Sequence, residues 1–266
     1  MVKIINYIRN PKYLLKRLLF NLKNPIYKKS INDTNFNRIY NFHIRKCGGT
    51  SFNRAFTTYI DGNESNYSKI VKASQNKVII KSFPIVGWNI GQLKRGSFWY
   101  GFSHTEFDKL FPIKNKTFTF TFLRDPCKRA ISYYSMIKDM QLSNPNHPAY
   151  KIEGRWLGNS FEEFLNNTPK EHIQNQLYMF DSNFNVTAAI EKIKQINYVG
   201  IQGYHEEEFI NFLHEYFKIN LNYKHLRKAS FKYQPTAREH KLLMSKLKEE
   251  YDFFEEVKNL VGLNIQ

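Results

Sequence analysis

The sequence predicts an α/β fold: a three-layer sandwich with a central, mainly parallel sheet and a helix-rich C-terminal half. Three observations carry that expectation. Short apolar runs, RIYNFHI, KVIIKSF, SFWYGFSH and TFTFTFLRD, recur between helical patterns, as strands do when helices cover both faces of a sheet. Two of them, at 38–44 and 117–125, run straight into segments of helical periodicity, which is the first half of a βαβ unit. Beyond residue 125 the chain reads almost entirely as helix.

Taken in order, residues 12–22 come first. KYLLKRLLFNL places Tyr13, Leu14, Leu15, Leu18, Leu19 and Leu22 on one stripe bordered by Lys12, Lys16 and Arg17, a basic amphipathic helix. Such a helix docks on its own domain, on a partner or on an anionic membrane surface. KNPIYKKSINDTNF at 23–36 reads as a linker, so residues 1–36 form an appendage and 37–266 the domain. A strand at 38–44 is followed by the tight loop KCGGTS and the helix FNRAFTTYI. Strands are expected at 77–83, 97–104 and 117–125, the last feeding the helix PCKRAISYYSMIKDM; SNPNHP at 143–148 is a surface loop. FEEFLNN, TAAIEKIKQI, EEEFINFLHEYF and KLLMSKLKEEYDFFEEVKNLV are expected as helices, and NYVGIQG as one further strand.

Composition narrows the function. Of the 266 residues 16% are aromatic and 42% hydrophobic, enough to bury a core and exclude intrinsic disorder. The net charge of +17 favours an anionic partner: nucleic acid, an acidic glycan, a phosphorylated cofactor or an anionic membrane. Two cysteines, Cys47 and Cys127, are too few for a disulfide framework or a Cys-based zinc site, and a reducing compartment is the natural reading. Lys3, Arg9, Lys12, Lys16 and Arg17 interrupt every N-terminal run long enough for a signal-peptide core or a membrane span, so a cytoplasmic location is expected, peripheral to a membrane if 12–22 binds one.

Two strings carry chemistry. In HIRKCGGTS, between a strand and a helix, Gly48 and Gly49 let the backbone approach an oxyanion, the helix N-terminus aims its N–H groups at it, and Thr50 and Ser51 add hydroxyls. Lys46 adds a point charge, but precedes the glycines, whereas the nucleotide P-loop has its Lys after the final Gly. The loop is therefore P-loop-like rather than a P-loop. In RDPCKRAISYY, Arg124 ends a strand at the edge where doubly wound sheets bind ligands, and Ser132 lies two turns into the next helix, so the two can converge on one phosphate. Asp125 is open to two other readings, a magnesium-holding carboxylate or an ion-pair partner of Arg124.

Together HIRKCGGTSF and FLRDPCKRAISYY resemble the 5′-phosphosulfate loop and the 3′-phosphate motif of sulfotransferases that use 3′-phosphoadenosine 5′-phosphosulfate. HLRKASFKYQPT at 225–236 resembles the basic loop of the heparan/uronyl 2-O-sulfotransferase branch, and NYVGIQGYHEEEFINFL the VGxxE strand and helix of that branch; the resemblance spans about residues 38 to 258. It implies a metal-free transfer of a sulfuryl group to a hydroxyl, most naturally of a glycan. Lys46 would stabilise charge on the leaving group while Cys47, Gly48, Gly49, Thr50 and Ser51 hold the 5′-phosphosulfate. Arg124 and Ser132 would hold the 3′-phosphate, with Arg227, Lys232 and Thr236 completing the nucleotide site. His104, in YGFSHTEF, matches the family's catalytic histidine and would be the general base, with Glu106 and Asp108 as fallbacks; Phe102 stands where the 2-O branch has the first histidine of an HxH pair. His43 is expected to be structural. Where the family has Pro-Lys-Thr this chain has Arg45-Lys46-Cys47, which adds a charge and removes a hydroxyl. Two other classes stand beside this reading: a kinase with an unusual P-loop, which would need magnesium, and a basic nucleic-acid-binding module, for which no motif is visible.

Overall fold

The computed structural model describes residues 15, 19, 22, 25–32, 34–224 and 231–262. Its six strands are β1 (Arg38–Phe42), β2 (Lys77–Ile80), β3 (Phe83–Gly87), β4 (Tyr100–Ser103), β5 (Thr117–Leu123) and β6 (Tyr198–Ile201), in the order β2-β3-β4-β1-β5-β6. Every pairing is parallel except β2 with β3. The first helices are α1 (Gly49–Tyr59), α2 (Asn66–Lys72), α3 (Ile90–Arg95), α4 (Phe107–Leu110) and α5 (Pro126–Ser143). Then come α6 (Pro148–Glu153), α7 (Phe161–Asn167), α8 (Lys170–Ile173), α9 (Asn175–Phe180) and α10 (Val186–Ile193), before β6. The chain closes with α11 (Glu206–Phe217), α12 (Ala237–Lys246) and α13 (Lys248–Leu260).

The side-chain alternation of the strands divides the core into two layers, one on each face of the sheet. In β5 the phenylalanines Phe118, Phe120 and Phe122 all point to one side, where they meet Phe52 and Phe56 of α1 and Phe209 and Phe217 of α11. On the opposite face Tyr40 and Phe42 of β1 pack with Phe107, Leu177, Phe180 and Phe253 from α4, α9 and α13. Each such side chain, fully buried, contributes roughly 1.5–3 kcal/mol. The threonines of β5 bury their hydroxyls without penalty because each finds an acceptor: Thr121 donates to the Phe42 carbonyl oxygen at 2.8 Å and Thr119 to Asn197 Oδ1 at 2.9 Å. A third cluster, with Tyr133, Tyr134, Phe161 and Phe164, joins α5 to α7 beyond the sheet.

Two elements differ from the expectation. The run 77–83 is not one strand: Lys81 and Ser82 take φ of 44° and 72°, the left-handed pair of a two-residue hairpin turn, and Phe83 begins the antiparallel return β3. The long C-terminal pattern splits at buried Leu247, whose φ of −104° and ψ of 8° leave the helical region between α12 and α13. Of the amphipathic helix expected at 12–22 only Leu15, Leu19 and Leu22 are described, and all three are exposed. No helix among the described residues is long and apolar enough to cross a membrane.

Candidate active site

Central β1 fixes the site. The chain passes from β1 toward β2, β3 and β4 on one side of it and then to β5 on the other, so the crevice at the C-terminal ends of β1, β4 and β5 is where such a sheet binds ligands. From β1 the backbone turns through Lys46 (φ 69°) and Gly48 (φ 80°), and Ser51 N–H closes on the Gly48 carbonyl at 2.9 Å as α1 begins. The turn requires glycine twice, for different reasons. Gly48 sits in the left-handed region, while a Cβ on Gly49 would lie 2.0 Å from His43 Cδ2.

The second motif meets the first directly. Arg124 Nη1 donates to the Lys46 carbonyl oxygen at 3.2 Å, and burial lowers its pKa from the ordinary arginine value. The Asp125 carboxylate N-caps α5, accepting Lys128 N–H at 2.7 Å, and accepts the Tyr251 hydroxyl at 3.1 Å, with Pro126 opening the helix; toward Arg124 it acts through charge rather than a hydrogen bond. Behind the strand end, Gln176 accepts Arg124 N–H at 2.7 Å, donates to the Arg124 carbonyl at 2.9 Å and to Glu250 at 3.0 Å. Glu250 in turn pairs at 3.2 Å with Arg129, both side chains being almost wholly buried. Arg129, although inside the RDPCKRA string, is therefore a buried strut that also donates to the His172 and Ile173 carbonyls.

Lys46, Gly48, Gly49, Thr50 and Ser51 line one cleft of about 820 Å³, together with Arg124 and Ser132, His104, and Lys232 from the loop before α12. An oxyanion cradle made of a left-handed glycine, a helix N-terminus and converging cations therefore faces a second cationic station one strand away. The sequence profile of the sulfotransferase family matches residues 30–251. The chain belongs to that family. No curated protein matches it.

In this sulfotransferase His104 stands at the end of β4, where its Nδ1 meets the His43 carbonyl oxygen at 2.5 Å. That contact requires Nδ1 to carry the proton, which leaves Nε2 as the lone-pair nitrogen. His104 is solvent-exposed at the cleft although protein atoms crowd around it. That surrounding, and next the nearby Arg45 guanidinium, hold its pKa below the ordinary 6.5, at about 4. His104 is thus neutral at physiological pH, the state a proton acceptor needs.

Other expected residues stand elsewhere. Cys47 is buried and does not line the cleft: its thiol donates to Gln176 Oε1 at 3.3 Å, and burial pushes its pKa up to about 12, so it holds the loop down rather than presenting a group to an anion. Thr236 caps α12 in a capping box with Glu239 and is absent from the cleft lining; the Glu239 carboxylate occupies its hydroxyl. Arg227 lies outside the described residues. Glu106 and Asp108, the fallback bases, are in the α4 segment outside the cleft, Glu106 with Lys109 and Tyr178 and Asp108 with Lys192 at 2.7 Å. Arg45 adds no free charge, because Glu153 takes its guanidinium with both carboxylate oxygens, at 2.5 and 2.8 Å, and Glu153 also accepts the Tyr133 hydroxyl.

Two cleft residues, Gln202 and Trp88, carried no signal strong enough to be singled out, and a third, His43, was read without a place in the cleft. Gln202, at the end of β6, sets its Nε2 3.3 Å from where a Gly48 Cβ would be, and its buried Oε1 has no hydrogen-bond partner among the described residues. Trp88, held at φ 55°, stands over Phe102 with ring centroids 4.9 Å apart. His43 was expected to be structural, yet its ring lines the cleft beside His104.

Proposed function

We propose that this sulfotransferase moves the sulfuryl group of 3′-phosphoadenosine 5′-phosphosulfate to a hydroxyl of a glycan, by in-line attack and without a metal ion. The observation that carries the reading is the meeting of two anion stations in one cleft: the 46–51 loop and the Arg124–Ser132 pair, tied by the Arg124 to Lys46 hydrogen bond. One anion would need either station; a nucleotide with a 5′-phosphosulfate and a 3′-phosphate suits both. The cradle fits a close-approaching phosphosulfate, since neither Gly48 nor Gly49 tolerates a side chain.

Lys46 would stabilise negative charge on the bridging oxygen as the S–O bond breaks, and His104 Nε2 would take the acceptor proton as the new S–O bond forms. Beside His43 and His104 the cleft lining includes Tyr67, Val71 and Trp88. Aromatic rings of this kind accept the apolar faces of sugars, which supports a glycan acceptor. The resemblance to the 2-O-sulfotransferase branch points the same way, while Phe102, buried beneath Trp88, leaves a one-base reaction.

The test is incubation with radiolabelled donor and a panel of glycans, lipid-linked sugars, phenols and tyrosyl peptides, with EDTA present. Labelled sulfate on a glycan supports the proposal; label on phenols or peptides alone, or dependence on magnesium, overturns it.

A further inference from the structure

His43 lies in a hydrogen-bond chain that fixes its chemistry. Buried Asn53, on α1, accepts through Oδ1 from two donors, Asn41 Nδ2 at 3.0 Å and the Tyr100 hydroxyl at 2.7 Å. Its amide nitrogen is thereby turned toward His43 Nδ1, 3.1 Å away. An N–H aimed at an imidazole nitrogen requires a lone pair there, so Nδ1 of His43 is unprotonated and the ring's own hydrogen is on Nε2. The two adjacent histidines therefore hold opposite tautomers: His104 keeps its proton on Nδ1 and offers a lone pair, His43 keeps its proton on Nε2 and offers a donor.

That edge packs against the anion cradle. The Cδ2–Nε2 side of the His43 ring lies against Gly49 so closely that a Cβ there would come within 2.0 Å of Cδ2 and 2.6 Å of Nε2, and Gly49 is the first residue of α1. The His43 and His104 ring centroids are 4.3 Å apart, so a sulfur atom attacked by a hydroxyl resting on His104 is within the neighbourhood of both rings.

We infer that His43 is a further catalytic residue of this site, donating its Nε2–H hydrogen bond to a non-bridging oxygen of the sulfuryl group during transfer. The inference rests on the proposed sulfuryl-transfer reading of the cleft. No proton moves at His43: the acceptor hydroxyl gives its proton to His104 Nε2, the new S–O bond forms as the bond to the phosphate oxygen breaks, and the leaving charge goes to the bisphosphate. His43 differs from Lys46 in the atom it serves, the transferring group rather than the leaving oxygen. Asn53, Asn41 and Tyr100 are positioning residues that act through its tautomer.

Two substitutions separate the donor from the scaffold. A glutamine amide nitrogen falls where histidine has Nε2; an asparagine amide falls where histidine has Nδ1, keeps the Asn53 contact and leaves nothing at Nε2. His43→Asn is expected to lower kcat by about 10²-fold, the scale of removing one preorganised donor, and affinity for adenosine 3′,5′-bisphosphate far less, because that ligand has no sulfuryl group. His43→Gln is expected to recover most of the rate. Near-wild-type turnover in His43→Asn, or equal losses in both variants, overturns the inference. The tautomer is read without activity, from the ¹⁵N spectrum of imidazole-labelled protein: protonated Nε2 with bare Nδ1 is expected at His43, and the reverse overturns the inference even if neither variant folds. Wild-type protein that shows this tautomer but transfers no sulfate defeats the sulfotransfer reading, and with it the role assigned to His43.

Discussion

The Nδ1 nitrogen of His104 donates to the backbone carbonyl of His43 at 2.5 Å, so the side chain at the end of β4 is aimed by the main chain at the end of β1. Adjacent parallel strands give that contact a rigid frame, because Phe42 pairs with Ser103 one residue earlier on each strand. The imidazole therefore offers Nε2 without having to choose a tautomer during the reaction.

His104→Ala is expected to lower turnover by about 10²- to 10⁴-fold, the range for general-base assistance, with affinity for the bisphosphate nearly intact. The pH dependence follows from the sign of the shift. A histidine whose pKa is held down, at about 4 against the usual 6.5, stays neutral in acid longer than a free one, so the acid limb of kcat/KM, which reports the free enzyme, should fall between those two values. The anionic donor stabilises imidazolium, so the limb of kcat should lie at higher pH than that of kcat/KM. An acid limb that persists in His104→Ala would assign it to another group.

Lys46 should matter to the rate more than to product binding. Its backbone is held at φ 69° and its carbonyl by Arg124, so the side chain leaves the loop from a fixed point. Lys46→Ala is expected to cost about 10²-fold or more in turnover, the scale of one transition-state electrostatic contact, and less in bisphosphate affinity. Lys46→Arg should also be slow, because a broad guanidinium does not replace a compact ammonium. A loss confined to affinity in steady-state and equilibrium measurements would make Lys46 an anchor instead.

What was legible in the sequence divides by the range of the interaction. The GGTS turn and the TFTFTFL strand announce themselves locally, through backbone freedom and periodicity, and both are where they were expected. The roles of Cys47, Thr236 and Arg45 were not legible, because each is decided by a partner far along the chain or by a competing local contact: Gln176 for Cys47, Glu153 for Arg45, the Glu239 carboxylate for Thr236. A family motif marks a position and not its neighbours. The network around His43 was not legible for the same reason, since Asn41 and Tyr100 reach it through Asn53 across two strands and a helix.

Arg124 should discriminate between nucleotides. Its side chain is largely buried beside the loop, and burial lowers its pKa, so a bound phosphate meets a poorly hydrated guanidinium and gains a strong charge-assisted contact. Arg124→Ala is expected to weaken adenosine 3′,5′-bisphosphate far more than AMP, measured by titration calorimetry. Equal losses for both ligands would place Arg124 at the 5′ end.

The last prediction concerns Arg129, which shares a motif with Arg124 and faces the opposite way. Its side chain is 1% exposed and that of its partner Glu250 is wholly buried, so the pair exists in a medium where either charge alone is strongly disfavoured. Removing Arg129 leaves the Glu250 carboxylate, among the described residues, with only Gln176 as a side-chain hydrogen-bond donor, and Gln176 is also the group that holds the main chain of Arg124. Arg129→Met is therefore expected to destabilise the fold by about 3–5 kcal/mol, as breaking a buried pair does, whereas Arg129→Met combined with Glu250→Leu should recover much of that loss. Urea unfolding of both variants measures the difference. If Arg129 bound a phosphate instead, the single variant would keep its stability and lose bisphosphate affinity, and the second substitution would restore nothing.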